Sequence, residues 1–66
     1  MLLGKKIKEL RMKMNLSCSE LARQSGHSVS TIHNLEQGNS LNPGFILVRD
    51  ISKVLNIKLD DLSEYL

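Results

Sequence analysis

Three side chains in this sequence are of the types that serve as nucleophiles or metal ligands: Cys18, His27 and His33. A catalytic cysteine needs a histidine within hydrogen-bond reach and a third group that orients the histidine. A structural zinc site needs four ligands at recognisable spacing. Because the three residues form neither pattern, we predict no enzymatic activity, no metal and no cofactor. Cys18 is expected near a helix start, where the helix dipole favours a reactive thiolate.

A different chemistry is offered by residues 29–37, whose polar side chains are hydrogen-bonding groups that carry little charge. Ile32 and Leu35 supply the apolar positions of this segment. Hydroxyl, imidazole and carboxamide groups donate and accept hydrogen bonds, which suits them to base edges in a DNA groove. The alternative is a solvated helix face on a domain that does not contact DNA. The polar side chains are those of Ser30, His33, Asn34 and Gln37.

The charged residues are unevenly distributed along the chain. The formal net charge is +2, with residues 1–14 carrying +4 and the remaining residues −2. A basic first segment could steer the molecule toward a polyanion. A solvated helix face is the more ordinary explanation of the lysines taken alone. Charge by itself therefore does not identify the partner.

Length and composition restrict the class of protein. A chain of 66 residues with 41% hydrophobic and 24% charged residues is expected to fold as one domain over residues 1–66. One cysteine cannot form an internal disulfide, which argues against the disulfide-stabilised secreted class. The longest apolar run, residues 45–48, is too short to cross a bilayer, and no signal peptide is recognisable. We expect a cytoplasmic protein with no membrane partner and no separate effector domain.

Apolar residues recur at helical spacing along most of the sequence, which predicts an all-α fold of five helices. The first helix is predicted to end at Asn15, a residue that tolerates left-handed backbone. Ser17 and Glu20 have the spacing of a capping box and open a second helix, which Gly26 ends. The apolar stripe of the first helix consists of Leu3, Ile7, Leu10 and Met14.

The rest of the sequence predicts three more helices. Ser28 is the predicted N-cap of a third helix over residues 29–37, which Gly38 closes. Asn42 and Pro43 predict the N-cap and first residue of a fourth helix. The stripe of the fourth helix consists of Phe45, Val48, Ile51 and Leu55, and Asn56 ends it. A last short helix is marked by Leu59, Leu62 and Leu66, with Asp60 and Asp61 in its first turn.

The segment from Leu16 to Gly38 resembles the helix-turn-helix of the lambda-repressor-like DNA-binding family, also called the Cro/cI or XRE family. The likeness continues over residues 43–62, which look like the fourth helix and the start of the fifth helix of that family. It implies a compact five-helix domain with its motif at about residues 18–37. The matching residues of the motif are Leu21, Ala22, Gly26, Ser28, Ser30, Thr31, Ile32, Leu35, Glu36 and Gly38.

The resemblance implies a sequence-specific transcriptional regulator, a repressor of bacterial, plasmid or phage type, that reads the major groove with helix 29–37. Asn34 is suited to an adenine and Val29 to a thymine methyl, so we expect a preference for A·T at the Asn34 position. The implied base-contacting residues are Val29, Ser30, His33 and Asn34. Asn39 and Ser40 belong to a loop that extends to Asn42. The implied phosphate-contacting residues are Ser17, Cys18, Ser19, Gln37, Asn39 and Ser40.

The resemblance also pairs Arg11 with Glu36 as an ion pair behind the recognition helix. Such domains commonly bind double-stranded DNA as dimers, and the apolar end of the last helix is the candidate homodimer contact. No small-molecule effector is evident. The candidate dimer residues are Leu59, Leu62, Tyr65 and Leu66.

The sequence departs from the family pattern in three ways. Cys18 stands where relatives usually carry a glutamine that contacts phosphate, and His27 stands where an aliphatic residue is common. The recognition helix and the loop after it contain no Lys or Arg, which predicts weaker and less salt-sensitive binding. The low charge keeps open an alternative function: a protein-interaction module, antitoxin-like or anti-repressor, built on a helix-turn-helix scaffold.

Overall fold

The computed structural model describes residues 2–39 and 43–65. Within these residues the chain forms five helices and no strand, which confirms the all-α prediction. The predictions attached to Ser40, Asn42 and Leu66 lie outside the described residues. The helices are α1 (Leu2–Lys13), α2 (Cys18–Ser25), α3 (Val29–Glu36), α4 (Phe45–Val54) and α5 (Leu59–Ser63).

Local signals at the helix ends operate as predicted. Ser17 accepts a hydrogen bond from the Glu20 amide while the Glu20 carboxylate accepts one from the Ser17 amide, which completes the capping box of α2. Gly26 ends α2 in the left-handed conformation, with φ of 77°. Asn15 and Asn56 also adopt positive φ, at 57° and 55°, and so end α1 and α4 without a glycine.

The start of α4 and the end of α1 differ from the prediction. Gly44, not Asn42, is the N-cap of α4, so the helix begins at Phe45. Phe45 is the first residue of α4, one turn before the buried Val48, and is 66% exposed. Met14 follows the last residue of α1 and is 44% exposed. In both cases the apolar stripe continues in the sequence beyond the point where the helix contacts the core.

All five helices contribute to one aliphatic core. Leu62 of α5 is fully buried in it, which corrects its assignment as a dimer contact because its side chain is already covered within the chain. Leu10, Leu59 and Tyr65 are half-buried against the core. Among the described residues, no helix has the length and apolar character needed to cross a bilayer. The buried core consists of Leu3, Ile7, Leu21, Ala22, Ile32, Leu35, Val48, Ile51, Leu55 and Leu62.

The backbone of α1 approaches the end of α3 closely at Gly4. A Cβ atom at this position would overlap the carbonyl oxygen of Leu35 and come within 3.1 Å of the Cα atom of Glu36. Only glycine leaves room for this approach, which no local pattern in the sequence indicates. The contact sets the position of α1 across the C-terminal end of α3.

Candidate nucleic-acid interface

Two short helices, α2 and α3, form a compact unit around the turn at Gly26 and His27. The His27 amide donates to the Ala22 carbonyl at 2.9 Å, and Ser28 caps α3 by accepting from the Thr31 amide. Ala22 is buried, and its small side chain lets the two helices cross closely. Ile32 and Leu35 fix α3 to the core. The opposite side of α3 is therefore held facing solvent.

The exposed side of α3 carries all four residues predicted to contact bases. They lie at consecutive turns of the helix, in two neighbouring pairs four residues apart, and each is exposed. We call this set the reading face. None of the residues 28–39 is a lysine or arginine. The reading face consists of Val29, Ser30, His33 and Asn34.

The N-terminus of α2 supplies backbone donors beside the C-terminal end of α3, where Cys18 contacts Glu36. The capping box occupies the amides of Ser17 and Glu20. The amides of Cys18 and Ser19 have no hydrogen-bond partner among the described residues, and free amides at a helix N-terminus suit a phosphate oxygen. The Ser17 hydrogen bonds lower the pKa of the Glu20 carboxyl, so a negative charge also lies at this end. Arg23, one turn further along α2, acts to lower the same pKa.

The C-terminal end of α3 places two more of the predicted phosphate contacts at the surface. The Gln37 amide donates to the His33 carbonyl, and the Asn39 amide donates to the Asn34 carbonyl at 3.0 Å. Gly38 between them has φ of 78°, which completes the turn. The side chains of Gln37 and Asn39 are both exposed at this end.

Arg11 and Glu36 form a bidentate ion pair behind α3. Nε donates to Oε2 at 2.7 Å and Nη2 to Oε1 at 3.0 Å, while Nη1 donates to the Leu16 carbonyl at 2.7 Å. The side chains of Arg11 and Glu36 are 11% and 3% exposed. The hydrogen bonds to Glu36 raise the pKa of Arg11. One guanidinium thus ties α1, the loop before α2 and the end of α3 together.

Cys18 lies against the same carboxylate, with its Sγ atom 3.6 Å from Oε1 of Glu36. Burial and the negative charge of Glu36 raise the pKa of the Cys18 thiol. The expectation of a reactive thiolate at the start of α2 is therefore wrong. Among residues 2–39 and 43–65 no group of three or more Cys, His, Asp or Glu side chains is placed to hold a metal ion.

His27 bonds the turn between α2 and α3 to α4. Its Nε2 atom lies 3.0 Å from Oδ2 of Asp50, whose Oδ1 accepts from Arg49. The hydrogen bond from His27, followed by that from Arg49, lowers the pKa of Asp50. A polar contact thus replaces the aliphatic packing that the family resemblance led us to expect. The residues are 23 positions apart, and no local pattern in the sequence pairs them.

Comparison with known proteins agrees with this arrangement. The sequence profile of the helix-turn-helix family matches residues 7–62, which is most of the chain. The chain belongs to the helix-turn-helix family. The match confirms the resemblance stated from the motif residues.

This helix-turn-helix protein aligns with its relatives over most of their length. It is 40% identical over 57 residues to an uncharacterised HTH-type transcriptional regulator of Archaeoglobus fulgidus, covering 86% of this chain and 79% of the relative. It is similar to the N-terminal DNA-binding domain of SinR from Bacillus subtilis, with a TM-score of 0.89, 29% identity and coverage of 94% and 90%. A structure of SinR, the master regulator for biofilm formation, in complex with DNA gives a TM-score of 0.87, 30% identity and coverage of 92% and 97%.

Proposed function

We propose that this helix-turn-helix protein is a sequence-specific DNA-binding regulator of transcription that inserts α3 into the major groove. The observation that carries the proposal is the reading face: four exposed side chains with little charge, on a helix whose opposite side is buried. Such groups suit base edges, which present both donors and acceptors. The similarity to a structure of SinR in complex with DNA supports DNA binding.

Within the reading face, each side chain is suited to a different base feature. The carboxamide of Asn34 matches the adjacent donor and acceptor of adenine, and the methyl groups of Val29 match the methyl group of thymine. Ser30 and His33 donate or accept according to the base opposite them. We infer a preference for A·T at the position that Asn34 contacts.

Contacts to the DNA backbone would fix the register of α3. The free amides of Cys18 and Ser19 lie at the start of α2, and the exposed side chains of Gln37 and Asn39 follow the end of α3. The contact between Cys18 and Glu36 brings these two ends together. Hydrogen bonds to phosphate position a protein without reading sequence. Ser40 belongs to the same proposed set by its place in the sequence alone.

A binding selection from random duplexes, carried out with the parent protein and Asn34→Ala, tests the base assignment. We expect the variant to lose the preference at one base pair, with about 1–3 kcal/mol less discrimination there. Gln24→Ala is the control, since Gln24 is an exposed amide on α2 outside the reading face. An unchanged preference at every position in Asn34→Ala would contradict the assignment.

A second candidate function is a protein-interaction module on the same scaffold. The absence of Lys and Arg in residues 28–39, together with the exposed Phe45 and Ile46, favours it. Titration with duplex DNA at two salt concentrations separates the two functions, because phosphate-driven binding weakens as salt rises. A protein that bound no DNA at low salt would support the interaction module.

We also propose that residues 1–66 act as one domain, as a cytoplasmic repressor and a homodimer. Two-fold related half-sites are the usual targets of helix-turn-helix dimers. Leu59 and Tyr65 are half-buried at the surface of the chain and remain available to a partner, whereas Leu62 does not. The proposed interface therefore uses Tyr65, beside Leu2, and Leu59, beside Phe45.

A further inference from the structure

A stripe along α1 runs beside the proposed DNA interface. Gly4, Lys8 and Arg11 lie at positions i, i+4 and i+7, on one side of the helix. Gly4 meets the backbone of Leu35 at the end of α3, and Arg11 binds Glu36 of the same helix. The stripe therefore follows the C-terminal end of α3 and leads toward the start of α2.

Lys8 is the exposed member of this stripe. It lies between two residues that both contact α3, yet its own side chain faces solvent. Its ammonium acts to lower the pKa of Cys18, against the larger effects of burial and Glu36, which raise it. Lys8 lies one turn before Arg11 on this stripe, and the Glu36 carboxylate that Arg11 binds lies 3.6 Å from the Cys18 Sγ atom. The stripe therefore places Lys8 on the side of α1 that leads to the start of α2, where the amides of Cys18 and Ser19 are free.

The reading face has no positively charged side chain, and Arg23, the one cation of α2, acts on the Glu20 carboxylate of its own helix. Residues 28–39 contain no Lys or Arg, and Glu20 adds a negative charge at the start of α2. The guanidinium of Arg11, on the same stripe as Lys8, is engaged by Glu36 and by the Leu16 carbonyl. The Lys8 ammonium has no ion-pair partner among the described residues, unlike those of Lys6 and Lys13, which pair with Glu9.

We propose that Lys8 contacts a DNA phosphate beside α3 and supplies the positive charge that the recognition helix lacks. This inference rests on the proposed function. A lysine that neutralises one phosphate releases condensed counterions, so it steepens the decline of affinity with salt by about 0.9 in the logarithmic slope. The contact carries no sequence information, so it acts on specific and non-specific duplexes alike.

Fluorescence anisotropy with a labelled mixed-sequence duplex, measured over a series of KCl concentrations, tests the contact in the intact chain. For Lys8→Gln we expect the negative slope of log K against log [KCl] to become less steep by about 0.9, with weaker binding at low salt. Lys8→Arg, which keeps the charge, is expected to retain the parent slope. Lys53→Gln is the matched control, since Lys53 is an exposed lysine on α4.

The outcomes separate this inference from the proposed function. Equal slopes for the parent and Lys8→Gln, in a protein that binds DNA, would overturn the Lys8 contact alone. An equal loss of steepness in the salt dependence of Lys8→Gln and Lys53→Gln would also overturn it, because it would reflect net charge and not a contact. A parent that binds no duplex even at low salt would overturn both. Base preference in a selection is expected to be the same for Lys8→Gln and the parent.

Discussion

At the scale of single residues, Arg11 joins three separate segments of the fold. Its planar guanidinium donates to the Glu36 carboxylate and to the Leu16 carbonyl at the same time. An ammonium group offers no such fork, so lysine would satisfy these acceptors poorly. Both side chains of the pair are largely buried, so loss of one leaves the other charged and without a counterion.

We expect Arg11→Ala to lower the free energy of unfolding by about 3 kcal/mol, the lower end of the range for one partner of a buried pair. Lys8→Ala, one turn earlier on the same helix, removes an exposed side chain and is expected to change stability by about 0.5 kcal/mol or less. Urea denaturation followed by circular dichroism compares the two. Equal midpoints would show that the Arg11–Glu36 pair contributes nothing.

The contact between His27 and Asp50 predicts a dependence on pH. Because the folded state lowers the pKa of Asp50, the ionised carboxylate stabilises the protein above the ordinary value of 3.8, and this contribution is lost as the pH falls through the lowered pKa. Asp50→Asn should therefore melt below the parent at pH 7. The difference should shrink below pH ~4 as the parent carboxylate is protonated.

Glu64→Gln serves as the control for this series, since Glu64 is exposed and has no ion-pair partner among the described residues. Its melting temperature should follow that of the parent at each pH. A difference between Asp50→Asn and the parent that stays constant from pH 7 to pH ~2 would show that the carboxylate charge is not responsible.

At the scale of secondary-structure elements, α2 and α3 depend on their neighbours. Each has eight residues, fewer than an isolated helix needs for stability in water. α3 is held from one side by Ile32 and Leu35 in the core and from its C-terminal end by α1 at Gly4. The orientation of the reading face is therefore set by contacts that lie outside the motif.

Gly4→Ala tests the approach of α1 to α3. The added methyl group overlaps the Leu35 carbonyl, and we expect a loss of about 1–3 kcal/mol, although alanine favours a helix over glycine by about 1 kcal/mol. Lys5→Ala is the control on the adjacent, exposed position of α1. If thermal denaturation showed Gly4→Ala to be more stable than the parent, the close approach would be absent in solution.

The elements show which parts of the fold are predictable from the sequence. The capping box at Ser17, the turn at Gly26 and the ends at Asn15 and Asn56 depend on neighbouring residues, and all were predicted. The reading face is also predictable, because helical spacing places its four residues on one side of α3. The start of α4 was misplaced because Pro43 is equally compatible with the residue before an N-cap.

Contacts between distant segments of the chain are not predictable from local sequence. The close packing at Gly4 and the bond between His27 and Asp50 join residues from different helices and turns, and each residue looks ordinary in its own local sequence. The Arg11–Glu36 pair spans a similar distance along the chain. It was foreseen only through the family resemblance, because no spacing rule connects the two positions.

At the scale of the whole molecule, two apolar surfaces remain open to a partner. Leu59 shares a groove with the exposed Phe45 at the start of α4, and Tyr65 lies beside the exposed Leu2 of α1 in a second groove. Isolated apolar side chains are common at protein surfaces, whereas a contiguous group of them indicates an interface. Self-association would cover at least one of these surfaces.

We expect Tyr65→Asp to convert a dimeric parent into a monomer, measured as the mass in sedimentation equilibrium at micromolar concentration. The ammonium of Lys6, 5.3 Å from the Tyr65 ring centre, is placed to pair with the introduced carboxylate, so the fold should persist. Phe45→Asp is the comparison at the other apolar surface. A dimeric mass in Tyr65→Asp and a monomeric mass in Phe45→Asp would move the interface to α4.

The position of α1 across the end of α3 has a consequence for local motion. A segment opens independently only when few contacts tie it to the rest of the molecule. Because Gly4 and Arg11 join α1 to the last residues of α3, the amide protons of α3 should exchange with solvent only when α1 also detaches or the whole chain unfolds. A ligand or mutation that loosened α1 would accordingly accelerate exchange in a helix that it never contacts.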